Sequence, residues 1–402
     1  MTHTTRTVHT MQTPTPSKAS KASKATGHAA VPAADADTDV SLMGEGAANS
    51  LRVVRLARPA DLPALLALAA LAGPGMTSFK PDRAALEARL ARVAATLGGT
   101  APTAEQGYLF VMEDVDTGEI AGVCGLEAAV GLDQPFYTYR KDTIVHASRE
   151  LNVWSRMLTL SLSNDLTGYS ELCSLLLDPK WRGHGNGALL SKARFLFMAQ
   201  FPERFGPQVC AELRGFFDDE GQSPFWQSLG QHFFKIDFDQ ADYLTSIGKK
   251  SFVAELMPKY PIYVDFLSPQ AQAAIGVTHR DTLPARRLLE QEGMRSGAHV
   301  DIFDSGPVLE ARVADLRAAR DSRYLSVNIV SSESGNPAPA VANAEPYLVA
   351  CLSLEGFRAT LLTGRPERRA FSMTAHAAKA LGVKHGDRVQ VLPLKPPRAE
   401  AV

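Results

Sequence analysis

Six consecutive residues have the types and spacing to grip a phosphate. Arg182-Gly183-His184-Gly185-Asn186-Gly187 follow the apolar run Leu172 to Leu177 and precede a stretch with helical periodicity. A helix start presents unpaired N–H groups and the positive end of the helix dipole, so backbone alone can hold an anion there. Glycines at 183, 185 and 187 let the chain close around that anion with no Cβ in the way, and Arg182 adds a full positive charge. The spacing Gly-x-Gly-x-Gly differs from the dinucleotide fingerprint Gly-x-Gly-x-x-Gly, and the Gly-Lys-Ser/Thr of a P-loop is missing. The ten histidines show no His-Glu-x-x-His or comparable spacing, so no metal is expected. Cys124, Cys173, Cys210 and Cys351 are scattered without a Cys-x-x-Cys pair. They read as small buried fillers in a reducing cytoplasm.

The elements around this loop must place it. Glu171–Asp178 reads as a strand and 187–201 as a long helix, with a second strand at Gln208–Arg214. Upstream, Leu51–Leu56 alternates like a strand. Helices are expected at 62–71 and at 82–97, the second with Leu86, Leu90 and Val93 on one face. A hairpin then turns at Asp116-Thr117-Gly118-Glu119, between strands at 108–113 and 120–130. This opening of strand, helices and hairpin predicts an α+β mixed sheet rather than a doubly wound one. Residues 131–168 read as loop-rich, 215–275 as an insertion of mixed structure, 284–293 as a helix and Val300–Phe303 as a short strand. A linker rich in Ser, Asn, Pro and Ala covers 331–345. Residues 346–402 then form a small β-rich C-terminal module, with strands at 348–352, 357–362 and 388–392 and a helix at 374–381, a pattern that suits a small barrel.

The composition sets outer limits. A chain of 402 residues with 45% hydrophobic content can build more than one core, and a net charge of −1 argues against nucleic-acid or membrane-surface binding. The longest apolar run, 64–72, is far short of the roughly 18 residues a bilayer span needs. Residues 1–50 are rich in Thr, Ser, Ala and Lys, repeat Ser-Lys-Ala at 17–25 and hold no aromatic residue. Such a segment cannot offset its ordering entropy, so 1–50 is expected to be a disordered extension.

The pattern Arg182-x-x-Gly185-x-Gly187 resembles the pyrophosphate loop of GNAT-type N-acyltransferases, and Pro284 to Met294 resembles the closing helix-and-glycine segment of that fold. Several segments narrow the resemblance. They are Gly107-Tyr108-Leu109-Phe110-Val111, Ala129 to Asp133, Val145 to Leu151, and Leu162-Ser163-Asn164-Asp165 with Glu171-Leu172-Cys173. Ser223-Pro224-Phe225-Trp226 with His232-Phe233-Phe234, Ala254 to Pro258, and Asp301-Ile302-Phe303-Asp304 complete the set. Together they are similar to the arginine N-succinyltransferase family, from about Leu51 into the 390s. The resemblance implies a GNAT-like mixed sheet with flanking helices over 51–330, elaborated by the insertion at about 215–275.

It also implies a reaction in which succinyl-CoA and L-arginine give CoA and N2-succinyl-L-arginine, in arginine catabolism. Leu175 falls at the family's succinyl-CoA contact. Arg182, Gly183, Gly185, Asn186 and Gly187 would hold the CoA pyrophosphate. His279, after Ile275-Gly276-Val277-Thr278, falls at the catalytic acid/base histidine. The family commonly has Gln-Val where Val277-Thr278 stand, and Pro where Arg280 stands. Arg280 is expected to lower the His279 pKa by like-charge repulsion. His146, His184 and His232 are weaker candidates for the chemistry. Arg140, Lys141, Arg149 and Arg214 are candidates for a succinyl carboxylate; Glu127, Asp218, Asp219 and Glu220 are candidates for a guanidinium. Some members accept ornithine and some work as mixed assemblies. A related acyltransferase acting on ornithine, another amine or another acyl-CoA, or a catalytically silent CoA-binding subunit of a hetero-oligomer, therefore stands as the alternative, and the resemblance leaves room for a homo- or hetero-oligomer with a related chain.

Overall fold

The computed structural model describes residues 50–73, 76, 78–246, 251–330 and 344–396. Nearly all of the extension expected at 1–50, and of the linker expected at 331–345, lies outside the described residues. The chain opens as its pattern predicts. β1 (Arg52–Leu56) is followed by α1 (Leu62–Ala70) and α2 (Arg83–Leu97), then by the hairpin β2 (Gly107–Asp114) and β3 (Ile120–Glu127). Asp82 caps α2 through Oδ1, which accepts the Ala85 N–H at 2.9 Å; a cap of this kind is worth about 1 kcal/mol. Leu86, Leu90 and Val93 of α2 pack on Leu109, Val111 and Val123. The alternate residues Phe110, Met112 and Cys124 join a separate core on the other face, as the two-residue period of a strand requires.

Residues 131–168 are not a loop. They hold a long hairpin, β4 (Thr138–Ser148) with β5 (Val153–Ser163), paired throughout. Much of it faces solvent, with Val145, Val153 and Trp154 exposed among its charged residues. Apolar and polar positions are therefore not sorted by face, and the usual alternation is lost. β6 (Ser170–Leu177) then pairs with β3 and leads into α3 (Asn186–Gln200), after which β7 (Gln208–Glu212) lies parallel to β6.

The stretch 215–275 contributes α4 (Gln231–Phe234), α5 (Phe238–Ser246), α6 (Ser251–Leu256), the short β8 (Ile262–Tyr263) and α7 (Pro269–Ala274). They enclose a second core, in which Phe225, Trp226, Phe234 and Val253 meet Tyr139 and Leu160 of the hairpin. α8 (Leu283–Gln291) precedes β9 (Arg295–Val300) and β10 (Pro307–Arg312). The strand expected at Val300–Phe303 is mostly a turn. Asp301 Oδ1 accepts the N–H groups of Phe303 at 2.7 Å and Asp304 at 2.8 Å, which diverts them from a ladder.

The chain ends with α9 (Arg317–Asp321), β11 (Arg323–Val330), β12 (Glu345–Cys351), β13 (Arg358–Gly364), β14 (Ala370–Thr374), α10 (Ala375–Leu381) and β15 (Arg388–Pro393). A division at residue 330 would put β11 with the region before it. Its pairing with β14 and β15 places it among the tail strands instead. Among the described residues the strands run in the order β14-β11-β15-β12-β13-β1-β2-β3-β6-β7-β10-β9-β4-β5-β8, so the tail continues the sheet through β13 and β1. Tail residues Leu348, Phe357 and Leu392 share the core that α3 fills. This explains why α3 is buried almost all round, Lys192 and Arg194 included. Lys192 Nζ lies 3.1 Å from Glu292 Oε1, and Arg317 Nη2 lies 2.6 Å from the same oxygen. Arg317 Nη1 also donates to the Pro393 carbonyl at 2.8 Å. Buried charges persist when paired in this way, and this group ties α3 to the tail.

Candidate active site

β6 and β7 are a parallel pair joined, among the described residues, only through Ser170 with Val209 and Glu171 with Cys210. Beyond these residues the register ends, and the C-terminal half of β6 is not covered by β7. On its other side β6 breaks register with β3 between Cys173 and Leu176. Ser174 sits in this bulge at φ +54°. A non-glycine residue stays in the left-handed region only where neighbours hold it. Here the Ser174 N–H donates to Ser78 Oγ at 3.2 Å, and Arg89 Nη1 donates to Ser174 Oγ at 2.8 Å. Leu175 follows directly, half-buried, on the part of β6 that β7 leaves open.

The loop after β6 is pinned at its start by Asp178, whose Oδ1 accepts the Lys180 N–H at 3.0 Å. Gly183 (φ +94°), His184 (+51°) and Gly185 (+78°) are then left-handed in succession, and α3 begins. Gly185 is required by its φ, and a Cβ there would also come 2.7 Å from Leu361 Cδ2 of β13, which would have to move aside. Asn186 is buried, and its Nδ2 donates to the Trp181 carbonyl at 2.9 Å, so its side chain braces the loop rather than facing a ligand. The Asn186 and Leu189 amides bond the carbonyls of Gly183 and Gly185. Among the described residues this leaves Gly187 and Ala188 as the first-turn donors open to an anion. Arg182 is exposed at the mouth.

His279 reaches the chain leaving β7, where its N–H donates to the Arg214 carbonyl at 2.8 Å. Its side chain is 11% exposed. Nδ1 accepts the Asp281 N–H at 3.2 Å, so the neutral ring carries its hydrogen on Nε2. Burial, then the Arg214 charge, hold its pKa below the ordinary histidine value; Asp281 pulls the other way. Arg280, the neighbour expected to depress it, is the smallest of these causes. Arg214 lies 4.6 Å over the Phe217 ring, and its buried Nε has no hydrogen-bond partner among the described residues. Burial also lowers the Arg214 pKa, against the pull of Asp304, Asp281 and Asp242.

The remaining candidates are placed as follows. Arg140 pairs with Asp142 at 2.9 Å and Asp165 at 3.2 Å, and Arg149 is exposed. Lys141 borders Gly276. Glu127 is engaged by Arg92 at 2.7 Å and Arg89 at 3.5 Å. Asp218 Oδ1 accepts the Gln222 N–H at 2.7 Å, while Asp219 and Glu220 are exposed. His146, His184 and His232 are all exposed.

Sequence reasoning missed a cavity of about 210 Å³ on the face of β6 and β7 opposite α3. Glu171, Glu212 and Asp301 line it, with Thr245 of α5 and a wall that includes Phe136 and Phe303. One sign was available: Glu171 and Glu212 are the one charged residue in each of two mostly apolar strands. A larger depression of about 560 Å³ lies in the tail beside Arg358, Lys379 and Arg388, and none of the candidate site residues lines it. Among the described residues no three His, Cys, Asp or Glu converge as metal ligands, and no helix is long and apolar enough to cross a membrane.

A mixed sheet whose parallel pair opens onto a glycine-rich helix start places the chain among the GNAT-like acyltransferases. More narrowly, the chain belongs to the arginine N-succinyltransferase family. The family model for the arginine N-succinyltransferase beta subunit matches residues 52–318, and that for its C-terminal domain matches 330–393. The arginine N-succinyltransferases of Salmonella paratyphi B and Salmonella typhimurium are each 50% identical over 344 residues, covering 86% of this chain and 98% of theirs. The structure of arginine/ornithine succinyltransferase subunit AI from Pseudomonas aeruginosa superposes with a TM-score of 0.77 at 34% identity, over 86% of this chain and all of that one.

Proposed function

We propose that the chain transfers the succinyl group of succinyl-CoA to the α-amino group of L-arginine. The observation that carries this is the match to relatives of that activity over 98% of their length, since the family model spans β6, the loop, Arg214 and His279. The CoA pyrophosphate sits on the start of α3, held by the Gly187 and Ala188 amides with Gly183, Gly185 and Arg182 around it. The thioester lies along the open half of β6 at Leu175, whose backbone N–H serves the carbonyl oxygen, since the Ser174 N–H of the bulge is already bonded to Ser78. Arg214 holds the succinyl carboxylate. Of the four basic candidates, it is the one with a buried, unpartnered N–H beside His279.

The amine nitrogen attacks the thioester carbon, the C–N bond forms and the C–S bond breaks. One amine proton must leave and the CoA thiolate must gain one. With Nδ1 engaged by Asp281, the neutral ring presents Nε2–H, and only once protonated to imidazolium can His279 give that proton to the thiolate. To take the amine's proton it must release the Asp281 amide. The test is release of free thiol from succinyl-CoA by the purified protein, with and without L-arginine. No arginine-dependent release would overturn the assignment.

The family model's description and the Pseudomonas aeruginosa structure both refer to a subunit, and the hairpin of β4 and β5 exposes Val145, Leu151, Val153 and Trp154. We place the contact with a second chain there. Trp154→Lys should shift the protein to a smaller species in sedimentation, and an unchanged mass would remove that surface from consideration. Four free, buried thiols suit a reducing cytoplasm.

A further inference from the structure

The geometry points to the cavity opposite α3 as the seat of the acceptor's guanidinium, an assignment that rests on the acyl-transfer reading above. The register fixes its floor. Glu171 faces Cys210 across β6 and β7, and Glu212 lies two residues further along β7, so both carboxylates rise from one face of the sheet. Val209 and Ala211, the alternate residues, point instead into the core that α3 fills. Asp301 closes the cavity from the turn after β9. Its Oδ1 already takes two backbone N–H groups, and burial pushes its carboxyl above the ordinary value. A cation in the cavity would offset that cost of burial.

Two further observations select the ligand. The Thr245 hydroxyl lines the cavity, is buried at the oxygen and has no hydrogen-bond partner among the described residues. Buried hydroxyls are normally bonded, so this one is an acceptor waiting for a donor. Phe136, Ile302 and Phe303 supply an apolar wall of the kind that methylene groups pack against. A planar cation with five N–H donors on a three-carbon stem matches this set of acceptors better than a compact ammonium on the same stem. Glu212 ends β7 and Arg214, whose carbonyl takes the His279 N–H, lies two residues beyond it, so the stem would carry the α-amine toward the thioester.

Calorimetry on the full chain preloaded with CoA tests this, with L-arginine, L-ornithine and L-norvaline as probes. L-arginine should bind most tightly. Glu171→Gln and Glu212→Gln should each weaken it about tenfold or more, the loss expected for one charge-assisted bond. Thr245→Val should weaken it by a smaller factor. CoA affinity and melting temperature identify any variant that fails to fold. Unchanged L-arginine affinity in both Glu variants would overturn the cavity assignment. Tighter binding of L-ornithine, or of L-norvaline, would overturn the guanidinium. A parent that binds L-arginine through these carboxylates yet releases no thiol from succinyl-CoA would sink the acyl-transfer reading and leave the cavity standing. An active parent whose variants keep its KM for L-arginine would do the reverse.

Discussion

The two halves of the proposed site are built differently. The donor side is one unbroken segment, β6, the loop and α3, and most of what it offers a ligand is backbone. The acceptor side is assembled from distant pieces: Ser78, Phe136, Glu212, Arg214, Thr245, His279 and Asp301, carried by six separate stretches of chain, with Glu171 of β6 completing the cavity. A backbone site needs only that certain residues be small and adjacent, so glycine spacing reports it. A side-chain site depends on which residues the fold brings together, and spacing along the chain says nothing about that. The donor half should therefore respond mainly to changes of backbone geometry, and the acceptor half to changes of charge.

The largest expected effect lies on the acceptor side. His279→Ala should lower kcat by about 10²–10⁴ while leaving CoA affinity in place; unchanged turnover would take the histidine out of the chemistry. The pH profile sharpens this. Burial and Arg214 both disfavour the protonated ring, so the neutral form should persist as pH falls through 6.5 and be lost only at the lower folded pKa. The acid limb of kcat/KM should accordingly have its midpoint below 6.5, and Arg214→Met should move it upward. A limb at or above 6.5 in the parent would contradict the geometry.

On the donor side the strongest test is steric. Gly185→Val must hold a branched side chain at φ +78° against Leu361, a combined cost of about 2–5 kcal/mol. CoA affinity should fall at least tenfold by calorimetry; a tolerated valine would mean that the loop is not rigid. Arg214→Met should narrow the preference for succinyl-CoA over acetyl-CoA by about tenfold, read from kcat/KM for the two donors. An intact preference would return the carboxylate to another cation, with Lys141 next to be tested. Arg182→Gln, at an exposed site, should weaken CoA only a few-fold and more at low salt than at high. A large, salt-independent loss would show the arginine to be part of a buried contact.

The same division explains what the sequence disclosed. The strand expected at 171–178 and the helix at 187–201 each lie within a residue of β6 and α3, because an apolar strand and a glycine-punctuated helix start declare themselves locally. Asn186 was legible as part of the loop but not as its brace, since the Trp181 carbonyl it bonds is positioned by the turn. The hairpin of β4 and β5 was hidden by its mixed exposure. β11 alternates Leu325, Val327 and Ile329 with polar residues, yet its parallel partner β14 lies beyond the linker, where no local pattern names it. His279 entered through family resemblance alone; its control by Arg214 depends on a contact between segments that no spacing encodes.

The pairing of β13 with β1 has a consequence for how the chain is made. Val53 emerges from the ribosome early and must wait for Thr360 before its strand has a neighbour on both sides. Contacts this remote in sequence close slowly. Until they do, β1 is an open edge, and Gly185 lacks the Leu361 side chain that backs it. The loop that signals most clearly in the sequence would thus be among the last parts of the proposed site to become firm, completed by a tail that carries none of the residues assigned here to the chemistry. A nascent chain released short of β13 would hold the whole glycine pattern without the support that shapes it.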